Sequence, residues 1–182
     1  MPSASLTPAA RPIPSSSPKP GSPGGAAGGV SAPPSEAPDS AGAAAHCQDE
    51  QLSLGYQARP EDSGAGSFYG DLVFTNNSAT DCSFDGWPGL IAENADGGRL
   101  GWPASAEGSA SQPVVLAAKG GTAVARLHGT QPGAYGCPET TSAMLRAFIT
   151  SDGAGPGIVV QQQLPVCGDT TATLAVGPLE AG

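Results

Sequence analysis

The stretch from residue 72 to residue 89, LVFTNNSATDCSFDGWPG, decides the fold. Leu72 and Phe74 alternate with other side chains, which is the period of a strand that buries one face. Residues 76–78, Asn-Asn-Ser, predict a turn because short polar side chains form hydrogen bonds with nearby backbone groups. Cys82 follows that turn. The stretch therefore predicts a strand, a turn, a cysteine and a Gly/Pro corner in order.

The remainder of the chain repeats this pattern of short apolar alternations between turns. Further strands are predicted near residues 52–56, 68–74, 90–92, 114–116, 123–127, 144–149, 158–164 and 171–176, with a Gly-rich hairpin turn at residues 96–98. Eight or nine short strands at this spacing favour a sandwich, because two sheets must cover one another to hide their apolar faces. The predicted fold is an all-β, immunoglobulin-like antiparallel β-sandwich.

Residues 1–46 have a different composition from the remainder. They contain 10 of the 19 prolines and no aromatic residue, and their charges sum to zero. Such a segment buries too little apolar surface to offset the entropy of ordering it. We predict a disordered Pro/Ser/Ala/Gly-rich linker over residues 1–46 and the β-sandwich domain over residues 47–182. An ordered arm is the alternative for the linker.

The net charge of −9 lies wholly on residues 47–182, and the chain has only 7 Lys and Arg residues. This balance argues against nucleic acid and anionic lipid as partners. It suits solubility, a basic partner or a weak surface Ca²⁺ site, and we expect no dedicated metal and no cofactor. No apolar run reaches ~18 residues, so no transmembrane segment is predicted. We expect a monomer.

Four cysteines are present, with no CxxC pair between them, which argues against a structural zinc site. They are Cys47, Cys82, Cys137 and Cys167. The predicted strands favour one pairing among the three possible. Cys47 precedes the first strand and Cys82 follows the second, so antiparallel pairing brings their outer ends together. Cys137 and Cys167 flank another such pair.

We therefore predict the disulfides Cys47–Cys82 and Cys137–Cys167. Each closes a loop of roughly 30 to 36 residues and is expected to contribute about 3–4 kcal/mol to stability. Paired cysteines imply an oxidising compartment. Four unrelated buried thiols are the alternative.

In their order along the chain, several of these residues resemble a known family. Those that carry the resemblance are Cys47, Leu52-Ser53-Leu54, residues 72–89, Cys137-Pro138 and Cys167-Gly168. The pattern is similar to the domain of unknown function 4232 family of secreted actinobacterial proteins. The resemblance implies an extracytoplasmic β-sandwich, often behind a lipoprotein signal and a low-complexity linker, and it supplies no catalytic residues. Family members usually carry Tyr where Trp87 stands.

Export is expected, although residues 1–20 lack the apolar run of a secretory signal. The predicted linker favours an extracellular or cell-surface tethered protein whose export signal lies upstream of the given sequence, and a cytoplasmic protein is the alternative. Residues 44–46, Ala-Ala-His, lack the small residue that usually precedes a lipidated cysteine. Lipid attachment at Cys47 is therefore not expected.

Candidate chemical groups are few. The two histidines, His46 and His128, are too few for a dedicated histidine metal site, and no GxSxG or HExxH motif is present. His128 is interpreted as a surface residue near a strand end. Trp87 and Trp102 are the best binding candidates, because aromatic side chains beside loops can stack on sugars or peptides. Alternatively, Trp87 plugs one end of the sandwich.

These observations predict a non-catalytic binding or structural module of the cell envelope, with an envelope protein or polysaccharide as its partner. The runner-up is an accessory domain that binds a wall polysaccharide or an exported enzyme. A small hydrolase with an unrecognised site has the least support.

Overall fold

A computed structural model of the chain describes residues 44–109, 112–149 and 154–182. Most of the predicted linker, residues 1–43, lies outside the described residues. The linker's last three residues lie inside them and are paired. His46 forms a parallel bridge with Ser83, and the Ser83 hydroxyl donates to the carbonyl oxygen of Ala44 at 2.8 Å.

The described residues form thirteen strands, and short 3₁₀ helices lie at Asp49–Gln51 and Pro132–Ala134. In chain order the strands are β1 (Leu52–Ala58), β2 (Ser67–Asn76), β3 (Cys82–Phe84), β4 (Gly89–Glu93), β5 (Arg99–Leu100), β6 (Ser105–Ala106), β7 (Val114–Leu116), β8 (Thr122–Thr130), β9 (Glu139–Thr141), β10 (Met144–Phe148), β11 (Ile158–Gln161), β12 (Pro165–Cys167) and β13 (Leu174–Ala181). No helix in the described part of the chain is long and apolar enough to cross a membrane.

The larger sheet has five strands in the order β1-β2-β8-β13-β6. Its pairs are antiparallel except β13–β6, which is parallel. Leu72 of β2 is opposite Tyr56 on β1 and Ala125 on β8, so apolar positions of neighbouring strands share the inward face. This is the alternation that the sequence predicted, since successive side chains of a strand point to opposite faces.

The second sheet has four strands in the order β11-β10-β4-β5, and β12-β9 and β3-β7 form two small antiparallel pairs. Buried apolar side chains from both larger sheets belong to one core, including Leu72 and Phe74 on one side and Leu90 and Leu145 on the other. The predicted all-β, antiparallel architecture is confirmed.

Both predicted disulfides are confirmed. Cys47 is bonded to Cys82 and Cys137 to Cys167. The strand argument holds, because β1 pairs with β2 and β10 with β11. The β12–β9 pair also brings the cysteines of the second bridge close together. Cys167 is opposite Glu139 in this ladder, and Glu139 follows Cys137 by two residues.

Several predicted strand boundaries are wrong. The strand predicted to begin at Thr171 begins at Leu174, because the Asp169 carboxylate accepts a hydrogen bond from the Thr171 amide at 2.8 Å and holds that segment in a turn. The strand predicted to reach Leu164 ends at Gln161. Strands β3, β5, β6, β9 and β12 were not predicted, since two or three residues are too few to show a period.

The predicted turn after β2 is built by Asn76, whose side chain is fully buried. Its amide nitrogen donates to the carbonyl oxygens of Thr80 at 2.9 Å and Leu116 at 3.0 Å. Its side-chain oxygen accepts from the amide of Ser78 at 2.9 Å. The side chain therefore connects the turn to β7.

Candidate functional site

The outward face of the five-stranded sheet carries a row of polar and aromatic side chains. Alternation places Tyr69 and Asp71 of β2 on this face, because Leu72 and Phe74 point inward. It places Arg126 and His128 of β8 on the same face. The register pairs Asp71 with Arg126 and Tyr69 with His128, so the four side chains form two cross-strand pairs.

A bulge in β13 opens a groove beside this row. The pairing between β8 and β13 shifts register between Val176 and Leu179, so that two residues of β13, Gly177 and Pro178, lie opposite the single residue Arg126 of β8. Proline supplies no backbone N–H to the ladder and so suits a bulge. The bulge passes beside Arg126, because a Cβ at Gly177 would lie in ordinary van der Waals contact, 3.5 Å from the Arg126 Cβ.

Two adjoining pockets make up this depression, which we call the sheet-face groove. Both are lined by Arg126, Gly177 and Pro178. The larger, of about 470 Å³, is completed by Arg59, Asp71, Val124, Glu180 and Ala181. The smaller, of about 190 Å³, is completed by Tyr69, Glu107, Gly108 and His128.

Asp71 is the most buried charged group of the groove, with only 11% of its side chain exposed. Arg59 Nε donates a hydrogen bond to Asp71 Oδ2 at 2.7 Å. This bond, more than any other influence, raises the pKa of Arg59 above its usual value. Burial, and secondarily the negative charge of Asp71, raise the pKa of Tyr56.

Arg126 is held less firmly than Arg59. Its Nε lies 3.1 Å from Asp71 Oδ1, but that buried oxygen accepts no hydrogen bond from the described residues. Its Nη1 donates to Asp62 Oδ2 over a longer distance of 3.3 Å. Nearly half of the Arg126 side chain, 47%, is exposed. Nearly half of the side chain is therefore accessible to a ligand while its ion pairs with Asp71 and Asp62 remain in place.

At the other end of the groove, the rings of Tyr69 and His128 are stacked, with centroids 4.6 Å apart and planes 9° from parallel. His128 Nδ1 lies 3.2 Å from Glu107 Oε2, and His128 Nε2 lies 3.4 Å from Ser67 Oγ. The sequence predicted a surface residue near a strand end, whereas His128 lies within β8, two residues before its end, and is half-buried.

Trp87 borders the groove without lining it. Its side chain is half-buried, and its Nε1 donates to the backbone oxygen of Glu107 at 2.7 Å. The preceding Gly86 accepts a hydrogen bond from the amide of Leu179, just after the bulge. The Gly/Pro corner therefore braces both β13 and the segment that presents Glu107 to His128. Trp87 is not a fully buried plug.

Trp102 lies elsewhere, and 55% of it is exposed. The Arg99 guanidinium lies over the Trp102 ring, 5.4 Å from its centroid. The backbone amide of Trp102 donates a hydrogen bond to the carbonyl oxygen of Thr171. The two predicted tryptophans therefore border different surfaces. Binding at either remains a prediction.

One cluster in the described part of the chain has the residue types and spacing of a metal site: Cys137, Cys167 and Asp169. The two sulfurs are bonded to each other. A disulfide offers no thiolate, which is the form of cysteine that binds metals. This cluster therefore has no support as a metal centre.

The sequence analysis did not identify Arg59, Tyr69, Asp71 or Arg126 as site residues. The sequence indicated part of their placement, because each lies at an outward position of a predicted strand or just beyond its end. What was missing was the register of β2 against β8 and the position of the bulge. Both depend on long-range pairing, which a single sequence does not display.

Comparison with known proteins gave one match. The family model described as Domain of unknown function (DUF4232) matches residues 47–180. No curated protein and no solved structure matches the chain.

Proposed function

The chain belongs to the DUF4232 family of domains of unknown function, and we propose that it acts as a non-catalytic binding module outside the cytoplasm, with the sheet-face groove as its ligand site. The observation that carries the proposal is the groove itself. It combines exposed donors and acceptors with aromatic walls, over strands whose opposite face is fixed by the core. Such concave surfaces with a few convergent polar groups are the usual form of binding sites.

The two disulfides support a location outside the cytoplasm, because reducing compartments do not maintain structural disulfides. Intact mass of the protein isolated from its host, with and without reduction, tests this part. Two bridges in the isolated protein are expected. A fully reduced chain with its thiols blocked during lysis would contradict it.

The binding proposal is tested by sedimentation of the full, oxidised chain with cell-envelope material from its host. The groove variant carries Arg126→Gln and Tyr69→Leu. The control is Lys119→Gln, which removes the same charge from an exposed turn residue. We expect the parent and the control to sediment and the groove variant to stay in solution. Equal sedimentation of all three would place binding elsewhere, and no sedimentation of the parent would contradict envelope binding.

A small hydrolase is the second candidate, and one observation favours it. Ser67, His128 and Glu107 follow one another in the order of a catalytic triad, at 3.4 Å and 3.2 Å. With Nδ1 protonated toward Glu107, Nε2 can accept the Ser67 proton. Two features favour binding instead. The Ser67–His128 distance is at the long limit of a hydrogen bond, and Glu107 has 55% of its side chain exposed, whereas the orienting acid of a triad is buried.

A chromogenic ester series decides between the two candidates. The binding proposal expects no turnover above a matched buffer blank. Turnover that is abolished by Ser67→Ala and unaffected by Ser53→Ala would establish the hydrolase instead. Ser53 is a suitable control because it is an exposed residue of β1 and lies opposite Thr75, at the far end of β2 from Ser67.

A further inference from the structure

Arg126 occupies the centre of the sheet-face groove, because it lines both pockets. Its guanidinium has five N–H donors, and only one of them makes a hydrogen bond within the described residues, the 3.3 Å bond to Asp62. A ligand that extends through both pockets therefore passes the Arg126 guanidinium, whose remaining N–H groups can donate hydrogen bonds to it. A single small ligand in either pocket would use only part of this capacity.

The walls of the smaller pocket suit the C–H face of a sugar ring. Tyr69, His128 and Pro178 line this pocket together with Glu107 and Arg126, so ring atoms lie beside one carboxylate and one guanidinium. A pyranose has a matching division of surface, with C–H groups on its faces and hydroxyls around its edge. Each hydroxyl both donates and accepts, so it can serve a carboxylate and a guanidinium at once.

The charges of the groove disfavour a polyanion. Arg59 and Arg126 are already paired with Asp71 and Asp62, and the larger pocket adds Glu180, which forms no ion pair with any other described residue. The domain as a whole carries the net charge of −9. A chain of acidic sugars would meet repulsion here, whereas an uncharged one would not.

An extended peptide is also disfavoured. Peptides commonly bind to sheets by adding a strand at an edge. Strands β2, β8 and β13 are all interior in the order β1-β2-β8-β13-β6, so the groove lies on a sheet face and offers no free edge. A ligand on this face must therefore be recognised by protein side chains, and the hydroxyls of a sugar chain can form hydrogen bonds with them.

We infer that the two pockets are neighbouring subsites for successive units of an uncharged pyranose chain, with Arg126 donating hydrogen bonds to both units. The inference rests on the proposed binding function and specifies its ligand class.

The test is calorimetric titration of the full, oxidised chain with defined oligosaccharides. The uncharged probes are cellotetraose, maltotetraose, mannotetraose and chitotetraose, and the acidic probe is tetragalacturonate. We expect at least one uncharged tetrasaccharide to bind, with its disaccharide roughly tenfold weaker because it fills less of the groove. Tetragalacturonate is expected not to bind. Tighter binding of the acidic probe, or no binding of any uncharged chain, would overturn the inference.

Two variants then locate the site. Arg126→Gln keeps a planar polar group but loses most donors and the charge, and roughly a tenfold or larger loss of affinity is expected. The fold is expected to persist, since Asp71 keeps its 2.7 Å bond from Arg59. Lys119→Gln is the charge-matched control. Trp102→Ala tests the rival aromatic surface, and loss of binding there with retention in Arg126→Gln would place the sugar at Trp102 and contradict the inference.

Failure of this inference is distinguishable from failure of the proposed function. If no sugar binds but Arg126→Gln releases a specific exported protein from a reconstituted complex, the groove is a binding site for protein. If the groove variant also leaves envelope sedimentation unchanged, the groove is not the binding site, and if the parent does not sediment, the binding function itself fails.

Discussion

Each of the two larger sheets places an arginine beside a nearly buried carboxylate on its outward face, but only one of the two pairs is joined by hydrogen bonds. In the four-stranded sheet, Arg146 meets Glu93 through two hydrogen bonds, Nε to Oε1 at 2.9 Å and Nη2 to Oε2 at 3.1 Å. In the five-stranded sheet, Arg126 meets Asp71 as an ion pair without a hydrogen bond.

The surroundings explain the difference. Arg146 Nη1 also donates to the Pro156 oxygen at 2.8 Å, and its stem covers Gly157, where a Cβ would clash with it. Hydrogen bonding to Glu93, before any other influence, raises the pKa of Arg146. Three of the five N–H donors of this guanidinium are used in hydrogen bonds within the domain, so Arg146 stabilises the fold. Arg126 is opposite the bulge instead, and 47% of its side chain is exposed, so the same residue type is left available for recognition.

The largest expected loss of stability follows from breaking the Arg146–Glu93 pair. Glu93→Ala leaves the Arg146 guanidinium without its buried partner, because only 5% of the Glu93 side chain is exposed. We expect a loss of about 3 kcal/mol in the free energy of unfolding, measured in urea. Glu139→Ala, at an exposed strand position, is the control and is expected to change stability by less than about 0.5 kcal/mol. Equal effects would remove the distinction between the two sheets.

A smaller loss is expected at the groove. Asp71→Ala is expected to destabilise the domain by about 1–2 kcal/mol, because both of its arginines are partly exposed and water can replace the carboxylate. The comparison is sharpened by measuring Asp71→Ala and Glu93→Ala under the same conditions. If Asp71→Ala proves the more damaging, the groove is a structural ion-pair network and not a site with spare capacity.

Trp87→Phe tests the brace behind the groove. The change removes the 2.7 Å bond from Nε1 to the Glu107 oxygen but keeps the aromatic ring, and a loss of about 1 kcal/mol is expected. The matched change Trp102→Phe is expected to be nearly neutral, since that side chain is largely exposed. Urea unfolding of both variants is the measurement. A larger effect at Trp102 would reverse the assigned roles.

The smallest effect concerns Tyr56, which packs over Gly70 at the edge of the groove sheet. Burial, assisted by the charge of Asp71, raises its pKa in the folded state. The unfolded chain therefore loses this proton first, and stability is expected to fall as pH rises above the ordinary tyrosine value of about 10. Melting temperatures of Tyr56→Phe between pH 8 and 11 are expected to fall less than those of the parent. Tyr135→Phe, at an exposed position, is the control, and an equal change there would contradict the assignment.

Local sequence determined much of this protein. The alternation around Leu72 and Phe74 predicted which faces are buried, and residues 76–78 predicted the turn. Cysteines placed just outside neighbouring strands predicted both disulfides, because antiparallel pairing brings outer ends together. These are statements about a residue and its near neighbours, or about strands consecutive in the chain, so a single sequence contains them.

Tertiary structure alone decided the groove. Asp71 and Arg126 are far apart in sequence, and their meeting depends on the register of β2 against β8. Whether Arg126 is covered depends on the bulge at Gly177 and Pro178 in a third strand. A shift of one residue would turn either side chain toward the core. Periodicity determines which positions face outward, and only the packed sheet determines which outward positions meet.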